Sequence, residues 1–201
     1  MEVQPDGLDF ERIAEDAVYE RVRVTFTAYL ERARVPIQID LGFGDAVTPA
    51  PVETQYPTLL PAPNPRLLTH PNETVVAEKF EAMVKLGIAN SRMKDFHDLE
   101  ARSRILDFDG KTLREAIGKT FERRGSGLAG GTPLALTLQF YDDTDKKKQW
   151  TAFCTKNATY VTKIELKEVI KNIKRFLAPV AAALLDGSPF TKRWEPGGPW
   201  H

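Results

Sequence analysis

The chain has 201 residues, 28 Lys plus Arg against 28 Asp plus Glu, and a single cysteine, Cys154. A chain of that length can bury a real core, and its even charge excludes global attraction to nucleic acid, leaving only a local basic face for such contacts. The lone cysteine excludes an internal disulfide and a multi-cysteine zinc site, as expected of a reducing, cytoplasmic setting. No basic start followed by an apolar stretch follows Met1, and no apolar run approaches the ~18 residues of a membrane span.

The polar, acidic opening up to Tyr19 has Leu8, Phe10, Ile13, Val18 and Tyr19 as its large apolar residues and reads as a first, ragged strand. From Arg21, RVRVTFTAYL alternates, placing Val22, Val24, Phe26 and Ala28 on one face of a half-buried strand. After a hairpin-like link, VPIQIDLGF sets Val35, Ile37, Ile39 and Leu41 on one face and Gln38 and Asp40 on the other, away from the core. The proline-dense stretch from Ala46 to Pro71 reads as an irregular, stiffened connection whose Tyr56, Leu59, Leu60, Leu67 and Leu68 need somewhere to pack.

Helical spacing then takes over. Pro71 and Asn72 open a helix carrying Val75, Val76, Phe80, Met83 and Val84, stopped by Gly87. A second helix is predicted from about Ser91 to Leu106 and a third from Gly110 or Lys111 to Arg123, followed by a glycine-rich break at Gly125 to Gly131. Leu166 to Leu185 reads as helical, with Pro179 bending it or marking a start, and Trp150, Phe153, Ile170, Ile173, Phe176 and Leu177 as packing residues. Asp145 to Lys148 reads as a solvated helix face and the tail from Trp194 as a loop.

The residues with chemistry are few. Asp40, between Ile39 and Leu41 on a strand, is either one oxygen ligand for Mg2+ or a surface acid, and the triplet alone favours the second. Lys79 borders the apolar face of its helix, where it snorkels or reaches a triphosphate. In SRMKDFHDLEARSR, Arg92, Lys94, Asp95 and Asp98 are helix neighbours, which fits a phosphate site or a salt-bridged surface equally. His97 has no partner at ligand spacing. There is no nucleophile elbow, no phosphate-cradling loop with Gly-Lys-Ser/Thr, and no dinucleotide fingerprint.

Several blocks, in this order, resemble the AbiEii/AbiGii nucleotidyltransferase toxins of abortive-infection and toxin–antitoxin systems: IQIDLGFGDAVTP, YPTLLPAPNPRLLTHPNETVVAEKFEAMVKLG, NSRMKDFHDL, TFERRG and the ending from Trp194 to Trp200. The resemblance implies an α+β chain. A partial, mixed or antiparallel nucleotidyltransferase sheet and proline-rich connection would fill residues 1–70, and a mainly helical half residues 71–201.

It further implies Asp40, Lys79 and Asp95 as catalytic residues, Asp40 as a metal ligand, and Lys79, Arg92, Lys94 and Asp98 as nucleotide-binding residues. Mg2+, an NTP, an RNA or tRNA acceptor and a cognate antitoxin are the implied cofactor and partners, with no membrane. The family's Gly-Ser and Asp-x-Asp motifs have no counterpart between Met1 and Asp40. The expectation is therefore the carboxy-terminal portion of such an enzyme. The alternative is an inactive remnant that binds protein through an exposed sheet edge, self-association included, or binds RNA through Arg92, Lys94, Arg102, Arg104, Arg123 and Arg124.

Overall fold

Alternation of apolar and polar side chains drives the first part of the chain into a sheet. In the computed structural model, which describes residues 2–3, 7–13, 21–44, 47–128, 130–162 and 164–201, contacts divide the chain into two units, Met1–Asp45 and Ala46–His201. Val18, Tyr19 and Asp45, named above, lie outside the described residues.

The first unit is a four-stranded antiparallel sheet of β1 (Glu2–Val3), β2 (Asp9–Ile13), β3 (Arg21–Leu30) and β4 (Ala33–Gly42). β1 and β2 pair with opposite ends of β3 along one side, and β4 pairs with its whole length on the other. A two-residue turn at Glu31 and Arg32, with Glu31 at φ 54°, sets the register. Val22, Val24, Phe26 and Ala28 stand opposite Leu41, Ile39, Ile37 and Val35, making one apolar face as the alternation predicts. Burial departs from expectation. Of that face only Ala28 is fully buried, while Phe10 is 64% and Ile39 45% exposed.

In the second unit the proline-rich stretch is not irregular throughout. β5 (Val52–Gln55) and β6 (Arg66–Thr69) form an antiparallel hairpin, with Thr58 bonded to Asn64 and Ala62 across its tip. Prolines bracket the two strands and leave their ladder intact. The apolar residues expected to pack do not: Tyr56, Leu59, Leu60, Leu67 and Leu68 are all exposed.

The helices follow: α1 (Asn72–Leu86), α2 (Met93–Ile105), α3 (Gly110–Arg123), the short α4 (Leu138–Tyr141), α5 (Thr144–Lys156) and α6 (Leu166–Leu185). α1 packs on α3, and α2 and α3 on α6. Gly87 ends α1 at φ 50°, as its position predicts. Asn72 does not cap α1; its side-chain oxygen accepts from Arg102 instead. α6 runs unbroken through Pro179, which lies on the exposed side, where water can satisfy the carbonyl the ring leaves free.

The tail corrects the loop expectation. β8 (Arg193–Trp194) pairs with β7 (Phe108–Asp109), and Trp194 and Trp200 are core residues stacked around Phe176. Each indole is satisfied: Trp194 Nε1 donates to the Ser103 carbonyl at 2.6 Å and Trp200 Nε1 to that of Phe176 at 2.8 Å.

Gly198, at φ +67°, lets the tail cross Trp194; a Cβ there would sit 2.4 Å from Trp194 Cη2, whereas one on Gly187, at φ +68°, meets nothing. Gly198→Ala is therefore expected to cost about 3 kcal/mol and Gly187→Ala about 1 kcal/mol in denaturant unfolding. Equal losses would show that the Trp194 contact carries no steric constraint.

Candidate functional site

On α2, Asp95 and Asp98 are three residues apart and so face the same way, and Lys94 reaches Asp98 one turn on. α1 turns Lys79 toward them from the border of its buried face. The result is a cluster of alternating charge: Lys79 Nζ pairs with Asp95 and lies 3.1 Å from Asp98 Oδ2, which also takes Lys94 Nζ at 2.6 Å. The Lys79 and Asp95 side chains are only 18% and 17% exposed, so each charge depends on the other for its solvation. Burial raises the affinity of the Asp98 carboxyl for a proton, but the hydrogen bonds and charges of Lys94 and Lys79 outweigh it and hold the group below the ordinary carboxylate range.

Beside this cluster lies an open groove of about 650 Å³ lined by Ser91, Arg92, Met93, Lys94, Asp95, Gln149, Ala152 and Phe153. Arg92 sits exposed at the N-cap position of α2 and enters no ion pair with another described residue. His97 packs against the rings of Phe153 and Tyr160. Its buried Nδ1 makes no hydrogen bond and stands 3.5 Å from Asp98 Oδ1.

The glycine-rich break is no free linker at its start. Arg124 Nη1 donates to the buried Glu81 at 2.7 Å, and the Ser126 hydroxyl donates to the other oxygen of the same carboxylate. The run Asp145 to Lys148 is also not wholly solvated: Lys146 is buried, its amine donating to the Asn90 carbonyl at 3.0 Å and to Gln149 Oε1 at 3.3 Å. Sequence reasoning missed Lys146, Gln149 and Phe153 as a set. Their spacing along α5 is helical and could have grouped them, but nothing in it says that the face meets α2.

Asp40 belongs to the other unit. Its register partner on β3 is Arg23, whose Nε and Nη2 donate to its two oxygens at 2.8 and 3.0 Å, and Gln38 donates as well. A guanidinium already holds the carboxylate by both oxygens, which does not fit a metal ligand. Among the described residues no three His, Cys, Asp or Glu side chains are grouped to hold a metal ion. The described residues therefore do not make up a Mg2+ site by themselves, and no step below runs through one.

A group whose folded pKa is depressed adds stability above its unfolded value, about 3.9 for Asp, and loses it as pH falls through the folded value. The destabilisation by Asp98→Asn, about 1 kcal/mol at neutral pH, is thus expected to shrink in urea titrations below about pH 4. A gap that stays constant down to pH 3 would show that the charge on Asp98 does not stabilise the fold.

No helix among the described residues is long and apolar enough to cross a membrane. No curated protein and no solved structure matches the chain. A family model does, over residues 2–178: the nucleotidyl transferase AbiEii toxin of type IV toxin–antitoxin systems. That span includes the sheet, the hairpin, the Lys79, Asp95 and Asp98 cluster and most of α6, and the chain belongs to the AbiEii nucleotidyl transferase toxin family.

Proposed function

We propose that the chain takes part in nucleotidyl transfer from an NTP to an acceptor such as RNA, with the helical unit binding the triphosphate. The observation that carries this reading is the Lys79 amine, held by Asp95 and Asp98 next to a groove rimmed by Arg92 and Lys94. In such a transfer an acceptor hydroxyl gives up its proton to water and its oxygen bonds to the α-phosphorus, while the bond from that phosphorus to the oxygen bridging the β-phosphate breaks and pyrophosphate leaves. Charge grows on the leaving group, and fixed ammonium and guanidinium groups stabilise it without reorganising. Asp95 acts on Lys79, fixing its amine in place, and Asp98 does the same for Lys94. Asp40, engaged by Arg23, is left out of this chemistry. Mg2+ remains the proposed cofactor, with ligands beyond those the described residues offer. Membership of a type IV toxin–antitoxin system implies a cognate antitoxin.

The test is transfer of label from each NTP to total RNA by the chain and by its Lys79→Met variant, with Mg2+ supplied. Transfer is expected, falling about a hundredfold in Lys79→Met. No transfer with any NTP would overturn the reading.

A binding module is the second reading, favoured by the exposed apolar face carrying Phe10, Ile39 and Leu41. Edge pairing along β4 is the weaker route. After a two-residue turn the even-numbered residues of β4 direct their backbone outward, and one of them is Pro36, which has no N–H to offer. Light scattering during size exclusion is expected to give one species whose mass does not grow with concentration if the edge is blunted in this way. Concentration-dependent assembly abolished by Ile39→Lys would favour the binding module.

A further inference from the structure

Resting on that reading, we propose that the groove between the start of α2 and α5 seats the base and sugar of the nucleotide, with Phe153 as its stacking face and Gln149 as its hydrogen-bonding group. The groove is open, about 650 Å³, with Met93, Ala152 and Phe153 as its apolar lining and Ser91, Arg92, Lys94, Asp95 and Gln149 as its polar lining. Arg92 and Lys94 stand on one rim, and Asp95, which also lines the groove, holds Lys79. That end is suited to phosphate.

The opposite wall is suited to a base. Phe153 lies 5.5 Å from the Trp150 ring and 5.8 Å from the His97 ring, centroid to centroid, so its orientation is set by packing before any ligand arrives. Trp150 is fixed in turn by its Nε1, which donates to the Ile164 carbonyl at 2.8 Å. A preset aromatic face offers stacking to any base at little ordering cost.

Gln149 is oriented as well. Lys146 can only donate, so the oxygen of the Gln149 side chain must face its amine, and the NH2 group points elsewhere. Among the described residues that NH2 meets no acceptor, and a base carbonyl or ring nitrogen would supply one. Lys146 is itself fixed: it is 6% exposed, lies over the Phe140 ring and donates to the Asn90 carbonyl, so the amine that orients Gln149 is held in place. Cationic rim, fixed ring and free amide donor together fit a nucleoside triphosphate better than a neutral or apolar molecule.

The test is calorimetric binding of the four NTPs and of inorganic tripolyphosphate to the intact chain and its variants. Phe153→Leu and Gln149→Leu are expected to weaken NTP binding about tenfold and leave tripolyphosphate binding unchanged. Phe153→Tyr, which keeps a ring and so controls for lost packing, is expected to bind NTPs as the wild type does. Gln149→Leu is expected to alter the ranking among the four bases. NTP affinities unchanged in both Leu variants, with Arg92→Ala still weakening NTP and tripolyphosphate alike, would overturn the base site and leave the proposed function standing. A wild-type chain that binds neither ligand would overturn both.

Discussion

An ammonium group with less than a fifth of its side chain in water needs counter-charge close by, and at Lys79 that need joins α1 to α2. Asp95 and Asp98 meet it from successive positions on one helix face. Because Asp98 is shared with Lys94, the cluster propagates to the rim of the groove. Taking away Lys79 would strand the Asp95 carboxylate in a partly dry site, so the geometry of the cluster and the packing of the two helices depend on each other. In the proposed function the same constraint would serve triphosphate binding, since the cations are in place beforehand.

The scaffold behind that cluster is aromatic. Phe176 on α6 touches Phe108, Trp194 and Trp200, so the tail closes over the same helix against which α2 packs. Trp194 bonds to Ser103 on α2, linking the tail to the helix that carries Asp95 and Asp98. The second unit is held by large side chains with fixed polar ends, which leaves α2 little freedom to turn its acids away from Lys79.

The sheet unit stands in contrast. It has the register and alternation of a half-buried sheet, but its apolar face carries exposed Phe10, Ile39 and Leu41. The β5 and β6 hairpin also exposes Leu59, Leu60 and Leu68. Sheets with one uncovered apolar face and lone hairpins are poor solutions in water, and both belong to surfaces that gain from being covered.

Local order was legible in the sequence because it is set by spacing. The alternation from Arg21 to Leu30 gave a strand, the periodicity ending at Gly87 gave α1, and the spacing of Asp95 and Asp98 put them on one face of α2. The family likeness was legible too, from blocks of residues in order. What spacing cannot convey is which face meets which. That Lys79 pairs with Asp95, that Arg23 takes both oxygens of Asp40, that Lys146 is buried in a run reading as solvated, and that Trp194 and Trp200 fold into the core are long-range contacts. They are decided by how whole elements pack, because the burial that stabilises them is shared among residues far apart in the chain.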